Sequence, residues 1–97
     1  MDEANYKQTP MFSTSLIPDD AHAVRMAKVL KEMGVNPAQP DTLNQTTMYY
    51  CCREGKIQLL EFLIENGCNV NHIDTYGQTP IFYASREGRI DLIKKLV

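Results

Sequence analysis

Between Lys56 and Asn66 apolar side chains fall at Ile57, Leu59, Leu60, Phe62, Leu63 and Ile64. Near the C-terminus Ile90, Leu92, Ile93, Leu96 and Val97 alternate with the charges of Asp91, Lys94 and Lys95. Side chains three and four apart share one face of a helix, so both stretches predict amphipathic helices, the first closed by the left-handed stop of Gly67. A shorter helix is predicted ahead of the second stretch, over Ile81 to Glu87 and ending at Gly88. Thr79 offers its hydroxyl there as N-cap, and Pro80 suits the first helical position, where a missing N–H costs nothing. Asp74 to Gly77 has the composition of a tight turn, an Asx side chain followed by a glycine free to take positive φ. Asn44 stands in the equivalent place upstream and is the next-best residue for it.

This order of turn, helix, turn, helix recurs. Shifted by 33 residues, Asp41, Thr42, Gln45, Thr46, Tyr50, Arg53, Glu54, Gly55, Ile57, Leu59 and Leu63 superimpose on Asp74, Thr75, Gln78, Thr79, Tyr83, Arg86, Glu87, Gly88, Ile90, Leu92 and Leu96. A weaker copy lies upstream, where YKQTPMF (Tyr6 to Phe12) echoes YGQTPIF (Tyr76 to Phe82) and KVLKEMG (Lys28 to Gly34) echoes EFLIENG (Glu61 to Gly67). About four extra residues around LIPDD separate its halves and predict a longer loop between its two helices. Neither helix pair has the apolar surface to be stable alone, so the units must stack.

The period, the D-x-x-G-x-T-P opening and the glycine-bounded second helix resemble ankyrin repeats. The resemblance covers nearly the whole chain, as one domain with repeats at about Ala4–Gln39, Asp41–Ile73 and Asp74–Val97. It implies an all-α solenoid of stacked helix-turn-helix units joined by short hairpin-like loops. Where the family usually carries a histidine that ties neighbouring loop backbone together, this chain has Phe12, Tyr49 and Phe82, so those polar ties are expected to be missing. Thr47 in place of proline and Asn44 in place of glycine should each cost the middle repeat a few tenths to about 1 kcal/mol. The first repeat has the more polar second helix, with Arg25, Lys28, Lys31 and Glu32, as expected of an N-terminal cap. The third stops before the glycine that would close its last helix, leaving Ile90, Ile93, Leu96 and Val97 to expose apolar surface. The expectation is that the chain is a fragment of a longer protein.

Composition narrows the function classes. With 97 residues, 43% hydrophobic and 23% charged, the chain suits one small domain. A formal net charge of −2 gives no basic footprint for a phosphate backbone, so a nucleic-acid partner is not expected. The N-terminus MDEANYKQTP is acidic and polar, unlike a secretory signal, and no apolar run approaches membrane-spanning length. The chain is therefore expected to be intracellular, cytoplasmic or nuclear, monomeric and without a membrane partner.

Three cysteines and His72 lie within about two dozen residues, the inventory of a structural zinc site. Their spacing argues otherwise. Adjacent helical residues point about 100° apart, whereas zinc favours two to four residues between paired cysteines. Cys51 and Cys52 also align with Ala84 and Ser85, the small interior positions of the first helix, where a thiol packs as a small hydrophobe. Cys68 falls where the family usually has alanine. Cys52 with His72 or His22 would form a nucleophile and base only with a cleft and an orienting third group, which a helical stack does not supply by default. Asp19, Asp20 and His22 read as helix N-terminal charges and capping. No metal, cofactor or catalytic residue is assigned.

The resemblance implies a protein or peptide partner held by hairpin tips and the exposed face of the first helices. By position these are Thr42, Leu43, Gln45, Arg53 and Glu54 in the middle repeat and Thr75, Tyr76, Gln78, Arg86 and Glu87 in the third, with Tyr6 and Gln8 as secondary candidates from the first. Tyrosine and arginine are frequent interface anchors, and the repeated Arg-Glu pairs form a charged ladder; as solvated helix ends they would do neither. Tyr49, Tyr50 and Tyr83 are either core residues or an aromatic pocket for an extended peptide or methylated lysine, with core packing preferred. Two roles follow: a protein-interaction module, or the recruiting arm of a larger enzyme such as a chromatin methyltransferase, kinase or acyltransferase.

Overall fold

A computed structural model of the chain describes residues 8–97, so the Tyr6 candidate lies outside the described residues. Six α-helices follow one another: α1 (Pro10–Ser13, continued by a 3-10 turn at Thr14–Leu16), α2 (Asp20–Glu32), α3 (Thr47–Glu54), α4 (Ile57–Glu65), α5 (Pro80–Arg86) and α6 (Ile90–Leu96). α1 packs on α3 and α3 on α5, while α2 packs on α4 and α4 on α6, so the helices form an inner and an outer row. The helices predicted over Lys56 to Asn66, Ile81 to Glu87 and Ile90 to Val97 are found within a residue of those bounds.

The core lies between the rows. Met11, Met48, Tyr49, Leu59, Leu60, Leu63 and Leu92 are buried there, the small residues Ala23, Ala27, Cys51, Cys52 and Ala84 letting the helices approach. Each of the buried leucines stabilises the stack by about 1.5–3 kcal/mol relative to exposure. The turns form as expected: Asn44 adopts φ 58° and Gly77 φ 76°, and the N–H groups of Asn44 and Gly77 close on the Asp41 and Asp74 carbonyls at 3.0 Å. At the C-terminal end Ile90 and Val97 are exposed, with Ile93 and Leu96 half-buried and Leu92 buried.

Two expectations are corrected. The Thr79 hydroxyl does not cap its helix: Thr79, like Thr9 and Thr46 in the other repeats, holds the extended N-cap backbone but makes no side-chain cap bond. The donor such a hydroxyl would take is already satisfied by the cap residue's own carbonyl, since Phe12, Tyr49 and Phe82 N–H reach Thr9, Thr46 and Thr79 O at 3.0–3.1 Å. The extra residues near LIPDD, moreover, do not lengthen a loop. α2 has 13 residues against 9 in α4. Aligning Lys28 with Glu61 makes Val24 the counterpart of Ile57, so α2 begins one turn early, with Asp19 accepting the Ala21 N–H at 3.1 Å as its cap. The outer face of α2 is also less polar than expected, because Met26, Val29 and Met33 are exposed beside its charges.

Candidate functional site

The concave side of the stack is formed by the inner helices and the hairpin tips that precede them. Each hairpin is organised by its aspartate. Asp41 Oδ1 accepts the Leu43 and Gln45 N–H groups at 2.9 and 3.0 Å, and Asp74 Oδ1 accepts those of Tyr76 and Gln78 at 2.9 Å. The tips are joined to each other by Thr75 N–H on Leu43 O and by Asn44 Nδ2 on Ile73 O, both 2.9 Å. His72 Nε2 lies 2.7 Å from Asn44 O.

The missing histidine ties are replaced in the middle repeat. Tyr49, fully buried, directs its hydroxyl proton toward two loop carbonyls, His72 O at 2.6 Å and Gln78 O at 2.8 Å. Burial, reinforced by Asp74, raises the Tyr49 phenol well above its ordinary value, so it remains a donor throughout the physiological range. Phe12 and Phe82 have no polar atom with which to do the same.

A second polar device repeats with the period. Gln8 Nε2 donates to Tyr50 Oη at 2.9 Å, and Tyr50 donates to Asp41 Oδ2 at 2.7 Å. One unit on, Gln45 Nε2 donates to Tyr83 Oη at 3.2 Å and to Asp74 Oδ2 at 2.8 Å, and Tyr83 donates to Asp74 Oδ2 at 2.7 Å. A glutamine of the first and of the middle repeat thus reaches the tyrosine-aspartate pair of the repeat that follows it. Burial alone would raise the Asp74 carboxyl, but hydrogen bonds from Gln45, Gln78, Tyr83 and Tyr76 outweigh it and hold it below its ordinary value. Burial and the Asp41 hydrogen bond push the Tyr50 phenol up to about 12.

Gln45 is therefore corrected from a surface contact to a buried brace between repeats. Its carbonyl oxygen accepts from Arg53 Nη2 while its amide reaches the third repeat. Tyr49 and Tyr83 are buried, as the core reading has it, while Tyr50 is half-buried at the surface. Of the other candidates, Thr42, Glu54, Thr75, Tyr76, Arg86 and Glu87 are exposed, and Leu43, Arg53 and Gln78 are half-buried. The Arg53 guanidinium carbon lies between two rings, 4.5 Å from the Tyr50 centroid and 5.3 Å from that of Tyr83; Arg86 lies over Tyr83 at 5.4 Å.

Leu43, Gln45, Arg53, Tyr76, Gln78, Tyr83 and Arg86 line one cavity of about 430 Å³, which gathers candidates from both the middle and third repeats. Arg53 also borders a second cavity of about 760 Å³ beside it, with Gln8, Phe12, Leu16, Tyr50 and Glu54 on its walls. Thr42, Thr75 and Glu87 lie outside both. Cys51, Cys52 and Cys68 are buried free thiols, and burial pushes Cys52 up to about 12 and Cys68 to about 11. Among the described residues no group of three or more His, Cys, Asp or Glu side chains could hold a metal ion.

One contact was not anticipated from sequence. The Asp20 carboxylate, carried on the extra turn of α2, accepts Gln58 N–H at 2.8 Å and Leu59 N–H at 3.1 Å. It caps α4, whose own N-cap residue Lys56 makes no side-chain bond. The only hint in the sequence was a second acid after Asp19 where one cap suffices.

The family model for ankyrin repeats in three copies matches residues 20–97. The chain belongs to the ankyrin-repeat family. No curated protein sequence matches it. Among solved structures it is similar to the human ASB11 ankyrin repeat domain, with a TM-score of 0.78 and 24% identity over 92% of this chain. That alignment spans 38% of the ASB11 chain and shows a common fold. Ankyrin repeats are generally protein-interaction modules. No helix among the described residues of this ankyrin stack is long and apolar enough to cross a membrane.

Proposed function

We propose that this ankyrin-repeat domain binds a partner protein or peptide through its hairpin tips and the concave face of its inner helices, without chemistry of its own. The observation that carries the reading is the 430 Å³ cavity, where Leu43 and Tyr76 from successive tips meet Arg53 and Arg86 from successive inner helices. Tyrosine and arginine supply large contact area and directional donors, the chemistry of interface anchors. Both are held in place here, Arg53 by Gln45 and two rings and Arg86 by Tyr83. The domain acts as a monomer inside the cell.

The test is affinity capture from cell extract with the wild-type chain and with Tyr76→Ala and Arg86→Ala, identifying recovered proteins by mass spectrometry. Both side chains are exposed, so folding should persist, checked by circular dichroism. Partners recovered by the wild type and lost by both variants are expected. Recovery unchanged by either substitution would move the interface off this face.

A further inference from the structure

Arg53 and Arg86 are cations without a carboxylate partner among the described residues, in contrast to Lys95, which pairs with Glu61. No acid lines their cavity, and Asp74, which the lining residues Gln45 and Tyr83 contact, is already occupied: Oδ1 accepts two backbone N–H groups, and Oδ2 accepts from Gln45 and Tyr83. Arg53 Nε is buried with no hydrogen-bond partner, and the Gln78 side-chain amide makes no hydrogen bond among the described residues although it lines the same wall. The cavity thus has two fixed positive charges, unused N–H donors and an exposed phenol at its rim. From this we infer that it seats acidic side chains of an extended partner segment, a deepening of the protein-binding reading on which it rests.

The spacing favours separate carboxylates over a single dianion. Arg53 lies between Tyr50 of its own repeat and Tyr83 of the next, whereas Arg86 lies over Tyr83, and the two arginines project from successive inner helices, α3 and α5. Packed helices lie about 8–10 Å apart, and a polyproline II chain, with three residues per turn and a rise of about 3.1 Å, returns a side chain to the same face after about 9 Å. Acidic residues three apart in a segment of that conformation therefore match arginines on successive helices. Each guanidinium can give a carboxylate a bidentate pair of hydrogen bonds, and the Gln78 amide can add a third donor beside Arg86.

The experiment is fluorescence anisotropy with a labelled peptide of repeating Glu-Gly-Ser units, its Gln-Gly-Ser isostere, and a third peptide carrying one phosphoserine in the glutamine background. Saturable binding of the glutamate peptide is expected, at least about tenfold tighter than the glutamine isostere, weakened by salt, and reduced about tenfold by Arg86→Gln, the loss of one charged pair. Lys31→Gln, the same charge change at an exposed position of α2 in the outer row, should leave it unchanged. In parallel, the Nε–H resonances of Arg53 and Arg86 should shift on titration of the glutamate peptide. Equal binding of the glutamine peptide, indifference to Arg86→Gln, or binding of the phosphoserine peptide alone would overturn the inference. So would the absence of any peptide binding, which would leave the capture result, and with it the broader interface, standing.

Discussion

Tyr49→Phe removes one oxygen atom and leaves the ring's packing intact, so it isolates the tie between the middle helix and the following hairpin. Tyr49 is fully buried, and its hydroxyl reaches His72 O at 2.6 Å and Gln78 O at 2.8 Å. The two carbonyls are not equally dependent on it. Gln78 O also accepts the Asp74 N–H at 3.0 Å, so it retains a partner, whereas the loss falls on His72 O. Leaving one such acceptor unsatisfied costs about 1–2 kcal/mol. For a domain of this size each kcal/mol lowers the melting temperature by about 4–8 °C, which puts the expected drop at about 4–15 °C. Thermal and urea unfolding followed by circular dichroism measure it, with the urea m-value unchanged because the same surface is exposed. Tyr76→Phe, at an exposed ring, is the control and should stay within about 0.5 kcal/mol of wild type. Melting of Tyr49→Phe within about 1 °C of wild type would refute the idea that this hydroxyl replaces the histidine tie.

Gly55→Ala should destabilise by about 1–2 kcal/mol, since φ is 77° and the new Cβ would sit 3.1 Å from the Arg89 guanidinium that donates to Arg53 O. Gly67→Ala, with φ 87° but open space around it, should cost less, and the urea midpoints of the two variants give the comparison. Because the Asp74 carboxyl is held below its ordinary value, its contribution to stability is complete above the unfolded-state carboxyl range near pH 4 and is lost as pH falls through the lower folded value. Acid titration of the unfolding free energy should show this limb, and Asp74→Asn should flatten it. Burial raises the Cys52 and Cys68 thiols, so their contribution is intact below about pH 9 and is lost as pH rises toward 11–12. In native buffer all three thiols should react with an aromatic disulfide reagent only at the rate of unfolding, and fast labelling of Cys51 or Cys52 would contradict their burial.

The period carried most of the fold, because equivalence between copies transfers a turn, a helix start or a small buried position from a strong repeat to a weak one. Asn44 at positive φ and the burial of Cys51 and Cys52 were legible in this way. What escaped are the polar contacts that cross between repeats. Gln45 looked like a tip residue because glutamine is usually exposed, and nothing local to it reveals a partner such as Asp74 or Tyr83, 29 and 38 residues away. A signal was present nonetheless: Gln8, Gln45 and Gln78 recur in step with Asp41 and Asp74 and with Tyr50 and Tyr83. A polar residue repeated at that fidelity beside repeated partners points to a brace as readily as to a surface. The Tyr49 tie was missed for a different reason: a tyrosine was compared with histidine by type, when the relevant quantity was whether a donor reaches two carbonyls. The position of the extra residues in the first repeat could not be decided either, because a loop and an added helical turn have the same length in sequence.

That added turn has a consequence for how the domain comes apart. α4 begins without a cap of its own, and its early donors at Gln58 and Leu59 are held by Asp20 of the preceding repeat. Detaching the first repeat therefore uncaps the second, so the two open as one cooperative block instead of peeling away singly. No side chain among the described residues caps α6. The third repeat, which carries Tyr76 and Arg86, is thus joined to the second without the cap bond that locks the second to the first, and the proposed binding cavity spans the junction that lacks it.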